Sequence, residues 1–287
     1  MHSGPLPAGS IWDIGSGRFL VSPAYFYLMR APQLTFVQAV LLGMELCGWY
    51  STLMSVPYRA YCDAERKKQG GALLFQPSPP AEWDITLEHQ QNLIDNGFVT
   101  RKSLTDAAAL RAFLENALSE RSNARSLVAA RHLEDNSHSP MESHLYARYC
   151  LPRRYGGLNL HPVVLNKCFS ISEDIARAIG VSEYSVDLYW PNAGMAVEYQ
   201  GRHAHSGLSA EQRDRLKRNV MDIEGVRIIS IDSSQVENED IMERYGYTIG
   251  RAMGIPEWKL KPNARERVKC NALVDELRTM DVDLYRS

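Results

Sequence analysis

Apolar residues along the chain follow a helical rhythm in the first half and a strand rhythm in the second. Residues 34–47 (LTFVQAVLLGMELC) are apolar nearly all round, which predicts a buried helix stopped by Gly48. Ser22 followed by Pro23 reads as an N-cap and a first helical residue, opening a short helix over 24–29. Residues 87–96 and 104–117 read as further helices, with Gly97 as a stop signal for the first. Residues 121–133 form a basic helix carrying Arg121, Arg125 and Arg131. The Gly- and Pro-rich stretch 67–80 is a loop.

Residues 134–139 (EDNSHS) are polar and mark the expected domain boundary. Ser139-Pro140-Met141-Glu142 then opens a helix to about Cys150, and residues 152–157 (PRRYGG) turn the chain. Two strand-like segments follow near 158–162 and 163–169. Residues 186–201 (VDLYWPNAGMAVEYQG) have the form of a β-hairpin, with Pro191, Asn192, Ala193 and Gly194 as its turn. Ser209-Ala210-Glu211-Gln212 is a capping-box pattern for a helix to about Glu224 that Gly225 stops. Its apolar positions Leu216, Val220 and Ile223 keep helical spacing. Residues 226–231 (VRIISI) are a short β-branched strand, and the last ~30 residues close the chain with a helix, on length alone. The order of helix, strands, hairpin, helix and strand predicts an α/β sandwich on a mixed sheet. The expected organisation is a mainly helical region over 1–135, an α/β domain over 136–255 and a helical tail over 256–287. There is no internal repeat.

Turn arithmetic gives the hairpin its chemical interest. A four-residue loop that closes symmetrically pairs Trp190 with Met195, which sets Asp187 opposite Glu198 and Gln200 on the same face. Two opposed carboxylates repel each other. A hard divalent cation, Mg²⁺ or Mn²⁺, would turn that liability into a binding site, because Mg²⁺ is held by one or two carboxylates plus substrate phosphates. The bland alternative is a pair of solvated acids on an exposed sheet face.

Composition narrows the setting. The chain has 287 residues, 45% hydrophobic and 23% charged, which suits a globular protein of two domains. A net charge of −2 means that any nucleic-acid binding must come from a local basic face. Five scattered cysteines without C-x-x-C spacing argue against a zinc site or a disulfide framework and suit a reducing cytoplasm. Neither a secretory pattern at the start nor an apolar run of ~18 residues is present in the sequence.

The segments SPMESHLYARYCLP, VDLYWPNAGMAVEYQGRHAH, RDRLKRN and GVRIISID resemble, in this order, a bacterial family related to the very-short-patch repair endonucleases, within the PD-(D/E)xK nuclease superfamily. The resemblance covers about residues 139–232. The upstream stretch FLVSPAYFYLMR…LTFVQAVLLGMELCG is similar to the helical segment before such a domain in proteins that resemble abortive-infection type IV antitoxins. Those usually begin with a winged helix, and no such pattern is read here. The resemblance implies a restriction-endonuclease-like mixed-sheet sandwich preceded by a mainly helical region. It matches Asp187 to the central metal-binding acid, Glu198 to the first residue of the (D/E)xK element and Glu142 to the acid of the first core helix. His203 or His205 falls near a histidine that relatives carry after this strand. Gln200 stands where that element has lysine.

In that frame Asp187, Glu198 and the Tyr199 carbonyl would hold Mg²⁺ or Mn²⁺. Gln200 cannot act as a base but can orient water, and His203 or His205 has an ordinary pKa, near ~6.5, suited to proton transfer. Arg202, Arg213 and Lys217 are candidate phosphate contacts, Arg213 and Lys217 sharing a helix face at a spacing of four. Arg121, Arg125, Arg131, Arg153 and Arg154 are weaker ones. Plainer readings stand beside each assignment: Ser139-x-x-Glu142 is itself a capping box, the histidines fit a surface loop, and the basic residues fit a salt-bridged helix face. Three functional readings stay open. One is a metal-dependent DNA endonuclease or nickase of repair, restriction or phage defence. Another is an inactive nuclease-like DNA-binding or antitoxin-type module with a toxin or other protein partner. The third is a nuclease acting on RNA.

Overall fold

Caps written into the sequence set where the first half of the chain turns helical. The structure, a computed structural model, describes residues 6–52, 55–68, 78, 86–117, 123–200 and 208–283. The chain is mixed α/β and divides into two compact units, residues 1–143 with 275–287 and residues 144–274.

The first unit opens with an antiparallel hairpin, β1 (Ile11–Asp13) and β2 (Phe19–Val21), which the apolar pattern did not predict. Trp12, Phe19 and Leu20 on it are exposed. Helix α1 (Pro23–Arg30) starts as expected, the Ser22 hydroxyl accepting from the Tyr25 N–H at 3.2 Å. Helix α2 (Phe36–Cys47) is opened by a Thr35–Gln38 capping box and buries Val37, Val40, Leu41 and Met44. Its C-terminal carbonyls have no intrahelical partner, and the Arg101 guanidinium donates to two carbonyls at that end, Glu45 (2.7 Å) and Gly48 (3.3 Å).

Strand β3 (Tyr50–Ser51) is followed by α3 (Ser55–Lys68), which extends into the segment expected to be loop; residues 69–77 and 79–80 of that segment lie outside the described residues. Helix α4 (Leu87–Asn96) ends at Gly97, whose φ of 76° needs glycine's freedom. Strand β4 (Val99–Thr100) pairs with β3. Helix α5 (Ala107–Asn116) is capped by Asp106, and α6 (Asn123–Ala130) forms the core of the expected basic helix. The sequence pattern anticipates neither β3 and β4, which have two residues each, nor α3.

Helix α7 (Pro140–Cys150) begins at the Ser139-Pro140 signal. The segment 158–162, expected as a strand, is not one. Its N–H groups satisfy carbonyls at the end of α7 instead: Leu158 to Arg148 (3.1 Å), Asn159 to Leu151 (3.0 Å) and Leu160 to Tyr149 (2.9 Å). Gly157 makes the fold-back possible, since a Cβ there would lie 2.1 Å from the Leu151 carbonyl oxygen.

The second unit is built on one sheet in the order β5 (Val164–Ser170), β6 (Glu183–Trp190), β7 (Met195–Gln200), β8 (Arg227–Asp232). The first three strands are antiparallel and β7 with β8 is parallel, so the sheet is mixed, as the element order predicted. Helix α8 (Glu173–Ile179), unanticipated, joins β5 to β6, and α9 (Leu208–Ile223) is the crossover that a parallel β7–β8 pair requires. Val220 and Met221 of α9 pack with Val186, Ala196 and Val226. After β8 come α10 (Ser233–Val236), α11 (Glu239–Ala252), α12 (Glu257–Leu260) and α13 (Ala264–Asp283). Trp190 is fully buried, donates its indole N–H to the Leu160 carbonyl at 3.0 Å and meets the Tyr149 ring edge-on. Among the described residues no helix is long and apolar enough to cross a membrane.

Candidate metal centre

The turn arithmetic holds at the atoms that it can be checked on. Residues Pro191–Ala193 form a tight 3₁₀ turn closed by Gly194 at φ 57°, and the ladder pairs Trp190 with Met195, Tyr189 with Ala196 and Leu188 with Val197. One further step of that register, which the ladder does not take, would set Asp187 across from Glu198. The paired residues stop at Leu188 and Val197, and there the Asp187 side chain takes over as acceptor: Oδ2 receives the Tyr199 N–H at 2.7 Å. A backbone N–H to a carboxylate is a charge-assisted bond, stronger than the ladder bond between neutral groups. It fixes the Asp187 carboxylate against the strand that carries Glu198.

On the other side of β6, the pairs Leu165–Leu188 and Lys167–Val186 flank Asn166, which has a left-handed φ of 47°. Asparagine tolerates this conformation better than most residues. An outlier in the strand beside Asp187 is the kind of local irregularity that gathers at functional sites.

Strand β8 completes the neighbourhood. The parallel register puts Glu198 beside Ser230 and Gln200 beside Asp232. The Ser230 hydroxyl is buried and has no hydrogen-bond partner among the described residues. An unpaired buried hydroxyl costs roughly 1–3 kcal/mol, so its place in register with an acid calls for an explanation. Asp232 is occupied with capping α10: its Oδ1 accepts from the N–H groups of Ser234 (2.8 Å) and Gln235 (3.0 Å) and from the Ser234 hydroxyl (2.6 Å).

Lys217, expected among the phosphate contacts or on a salt-bridged helix face, is ion-paired here. Its side chain is only 16% exposed and its ammonium pairs with Glu198 Oε1, whose side chain is 22% exposed. The same ammonium stands 5.9 Å from the centroid of the Tyr184 ring on β6. The spacing explains this: Lys217 precedes the buried Val220 and Met221 by three and four residues, so it shares their sheet-facing side of α9. That signal was legible, and the charge of the residue hid it.

Among the described residues there is no group of three or more His, Cys, Asp or Glu side chains that could hold a metal. The oxygen donors that the strands carry in this region are the Asp187 carboxylate on β6, the Glu198 carboxylate and backbone of β7, and the Ser230 hydroxyl in register with Glu198 on β8. Oxygen donors are the kind that Mg²⁺ and Mn²⁺ favour.

The remaining candidates divide. Glu142 is buried in a cap: its N–H donates to the Ser139 hydroxyl (3.2 Å) and its Oε2 accepts from the His138 N–H (2.7 Å). This is the capping-box reading with the reciprocal bond moved one residue back. Arg202, His203 and His205 lie outside the described residues, as do Arg121 and the side chain of Arg213. Arg153 is tied to the Leu260 carbonyl at 2.9 Å and to Glu266 at 3.8 Å, a brace for the end of α12. Arg154 stacks on the adjacent Tyr155 ring. Arg125 and Arg131 are exposed, as are Arg215 and Arg218 on α9. No family model, curated protein or solved structure matches this chain.

Proposed function

We propose that the second unit of the chain is a metal-dependent phosphodiester hydrolase of the PD-(D/E)xK type, acting on DNA as an endonuclease or nickase. Two observations support this reading: the Asp187 carboxylate on β6 accepts from the Tyr199 N–H of β7, and Glu198 on the same strand β7 is ion-paired with Lys217 of the crossover helix α9. Asp187 and Glu198 would hold Mg²⁺ or Mn²⁺, with the Tyr199 carbonyl as a third donor and the unpartnered Ser230 hydroxyl within the same neighbourhood. Such an ion supplies an activated water and neutralises charge growing on the phosphate.

The chain's own groups would do the rest. The Tyr199 N–H holds the Asp187 carboxylate in one orientation. Gln200 orients water through its amide. His203 or His205 moves a proton to the leaving oxygen, and Arg202 and Arg213 contact the phosphate backbone without reading sequence. The nuclease-like sandwich, a cytoplasmic setting and a role in repair, restriction or phage defence belong to the same proposal. The five free cysteines suit a reducing compartment.

A second reading has one observation in its favour. Gln200 occupies the third motif position, as expected for a nuclease-like module that binds DNA or a toxin partner without cleaving. Incubation of the purified chain with supercoiled plasmid and Mg²⁺ or Mn²⁺, alongside Asp187→Asn and Glu198→Gln, separates the two. The first reading expects nicking or linearisation that both substitutions abolish. Cleavage that survives them sinks the site. Metal-dependent binding of plasmid without cleavage supports the second, and a structured RNA in a parallel arm tests the choice of nucleic acid.

A further inference from the structure

We infer that Lys217 is a built-in cation that holds Glu198 while no divalent ion is bound and is displaced from it when one arrives. The inference rests on the metal-site reading of Asp187 and Glu198 and adds a residue that neither the motif nor its spacing assigns.

The geometry argues for it in three ways. Lys217 is held by the two strands that carry the acids: its ammonium pairs with Glu198 on β7 and faces the Tyr184 ring on β6. An ammonium and a hard divalent ion seek the same carboxylate oxygens, and Lys217 is the one partner that Glu198 has among the described residues, so loading the acid pair means breaking that ion pair. Charge gives the third argument. With Lys217 in place the acid pair and the ammonium sum to one negative charge. A divalent ion converts this to one positive charge, matched to a single phosphodiester. The lysine also lowers the self-repulsion of two neighbouring carboxylates, which otherwise destabilises the sheet. Once released, the ammonium keeps the Tyr184 ring as a resting place within reach of the site. Lys217 is on this account a positioning residue that comes from the crossover helix and not from β7.

The test is a Mn²⁺ titration of the full chain by calorimetry, comparing the unmodified protein with Lys217→Met, Asp187→Asn and Glu198→Gln. Removing a competing unit charge about 4 Å from a divalent ion should tighten Mn²⁺ binding at least tenfold in Lys217→Met. Asp187→Asn and Glu198→Gln should weaken it by at least that much. A second measurement needs no variant: acetylation of Lys217 by acetic anhydride, read by mass spectrometry, should rise several-fold when Mn²⁺ is added to the unmodified protein. If the acid variants lose Mn²⁺ while Lys217→Met binds no more tightly and the labelling of Lys217 does not move, the lysine is a structural brace and the inference falls while the metal reading stands. If the unmodified protein and Lys217→Met both fail to bind Mn²⁺, the metal reading fails and takes the inference with it. Should Lys217→Met not fold, the labelling result decides alone.

Discussion

Replacing Asp187 separates a site residue from a structural one, because its two roles respond to different substitutions. Asp187→Ala removes the acceptor of the Tyr199 N–H, a bond of 2.7 Å to a carboxylate. Hydrogen bonds to charged groups contribute about 1.5–3 kcal/mol. Relief of repulsion against Glu198, already partly neutralised by Lys217, returns about 0.2–1 kcal/mol. The net loss is therefore about 0.5–3 kcal/mol, a fall in Tm of roughly 2–10 °C for a unit of this size. Asp187→Asn behaves differently. Its amide oxygen still accepts from Tyr199 and only the charge is lost, so the weaker bond and the relieved repulsion nearly cancel and stability should move by less than about 1 kcal/mol.

The assay is thermal unfolding followed by circular dichroism, first with EDTA and then with Mn²⁺. With EDTA, Asp187→Asn should melt close to the unmodified protein and Asp187→Ala below it. A ligand at one hundred times its Kd stabilises by about 2.7 kcal/mol, so Mn²⁺ should raise the Tm of the unmodified protein by several degrees and that of Asp187→Asn hardly at all. An Asp187→Asn protein as unstable as Asp187→Ala in EDTA, or one that gains as much from Mn²⁺ as the unmodified chain, refutes the reasoning: the charge would then be structural and the metal would sit elsewhere.

Other parts of the fold make their own predictions. Gly157→Ala would put a Cβ 2.1 Å from the Leu151 carbonyl oxygen and 2.9 Å from that of Ala147, so the end of α7 must shift; urea unfolding should register a loss of at least about 1–3 kcal/mol. Burial holds the His161 imidazole below its ordinary pKa of 6.5, although its bond to the Cys150 carbonyl at 2.7 Å pulls the other way. The unfolded chain then binds the proton more readily than the folded one. The associated stability is full above 6.5 and is lost as pH falls through the lowered folded value, and His161→Gln should flatten the decline in unfolding free energy between about pH 7.5 and 5. A double-mutant cycle on Lys217 and Glu198, read by unfolding, should give a coupling of about 1 kcal/mol, the top of the range for exposed pairs, because both side chains are mostly covered. Glu142→Gln keeps an acceptor for the His138 N–H and should leave plasmid cleavage intact, whereas loss of cleavage in a folded protein would mean that Glu142 acts beyond its cap.

Local signals account for most of what the sequence made legible. Ser22-Pro23 and the glycines at 48, 97 and 225 act within one helical turn, and the helices that they bound lie close to where the pattern puts them. The turn at 191–194 fixes the β6–β7 register for the same reason. What escaped depends on partners distant in sequence. The segment 158–162 has the composition of a strand, but the unsatisfied carbonyls at the end of α7 claim its N–H groups first. The hairpin β1–β2 leaves Trp12, Phe19 and Leu20 in solvent, so no buried face disciplines its pattern.

The acid pair and its cation illustrate the same boundary. Asp187 and Glu198 were readable because one short turn joins their strands. Ser230 comes beside Glu198 only through the parallel register of β8, which a whole crossover helix separates from β7. Lys217 belongs to that helix. On the proposed nuclease reading, Gln200 leaves the third motif position without a positive charge along the strand. Read in space, the crossover returns a lysine to Glu198, because Val220 and Met221 turn one face of α9 to the sheet and carry Lys217 with them. On that reading a motif written along one strand would be an incomplete description of a site that needs only a charge at a place. Any sheet-facing position of α9 within reach of β7 can supply it, and the chain offers one at residue 217.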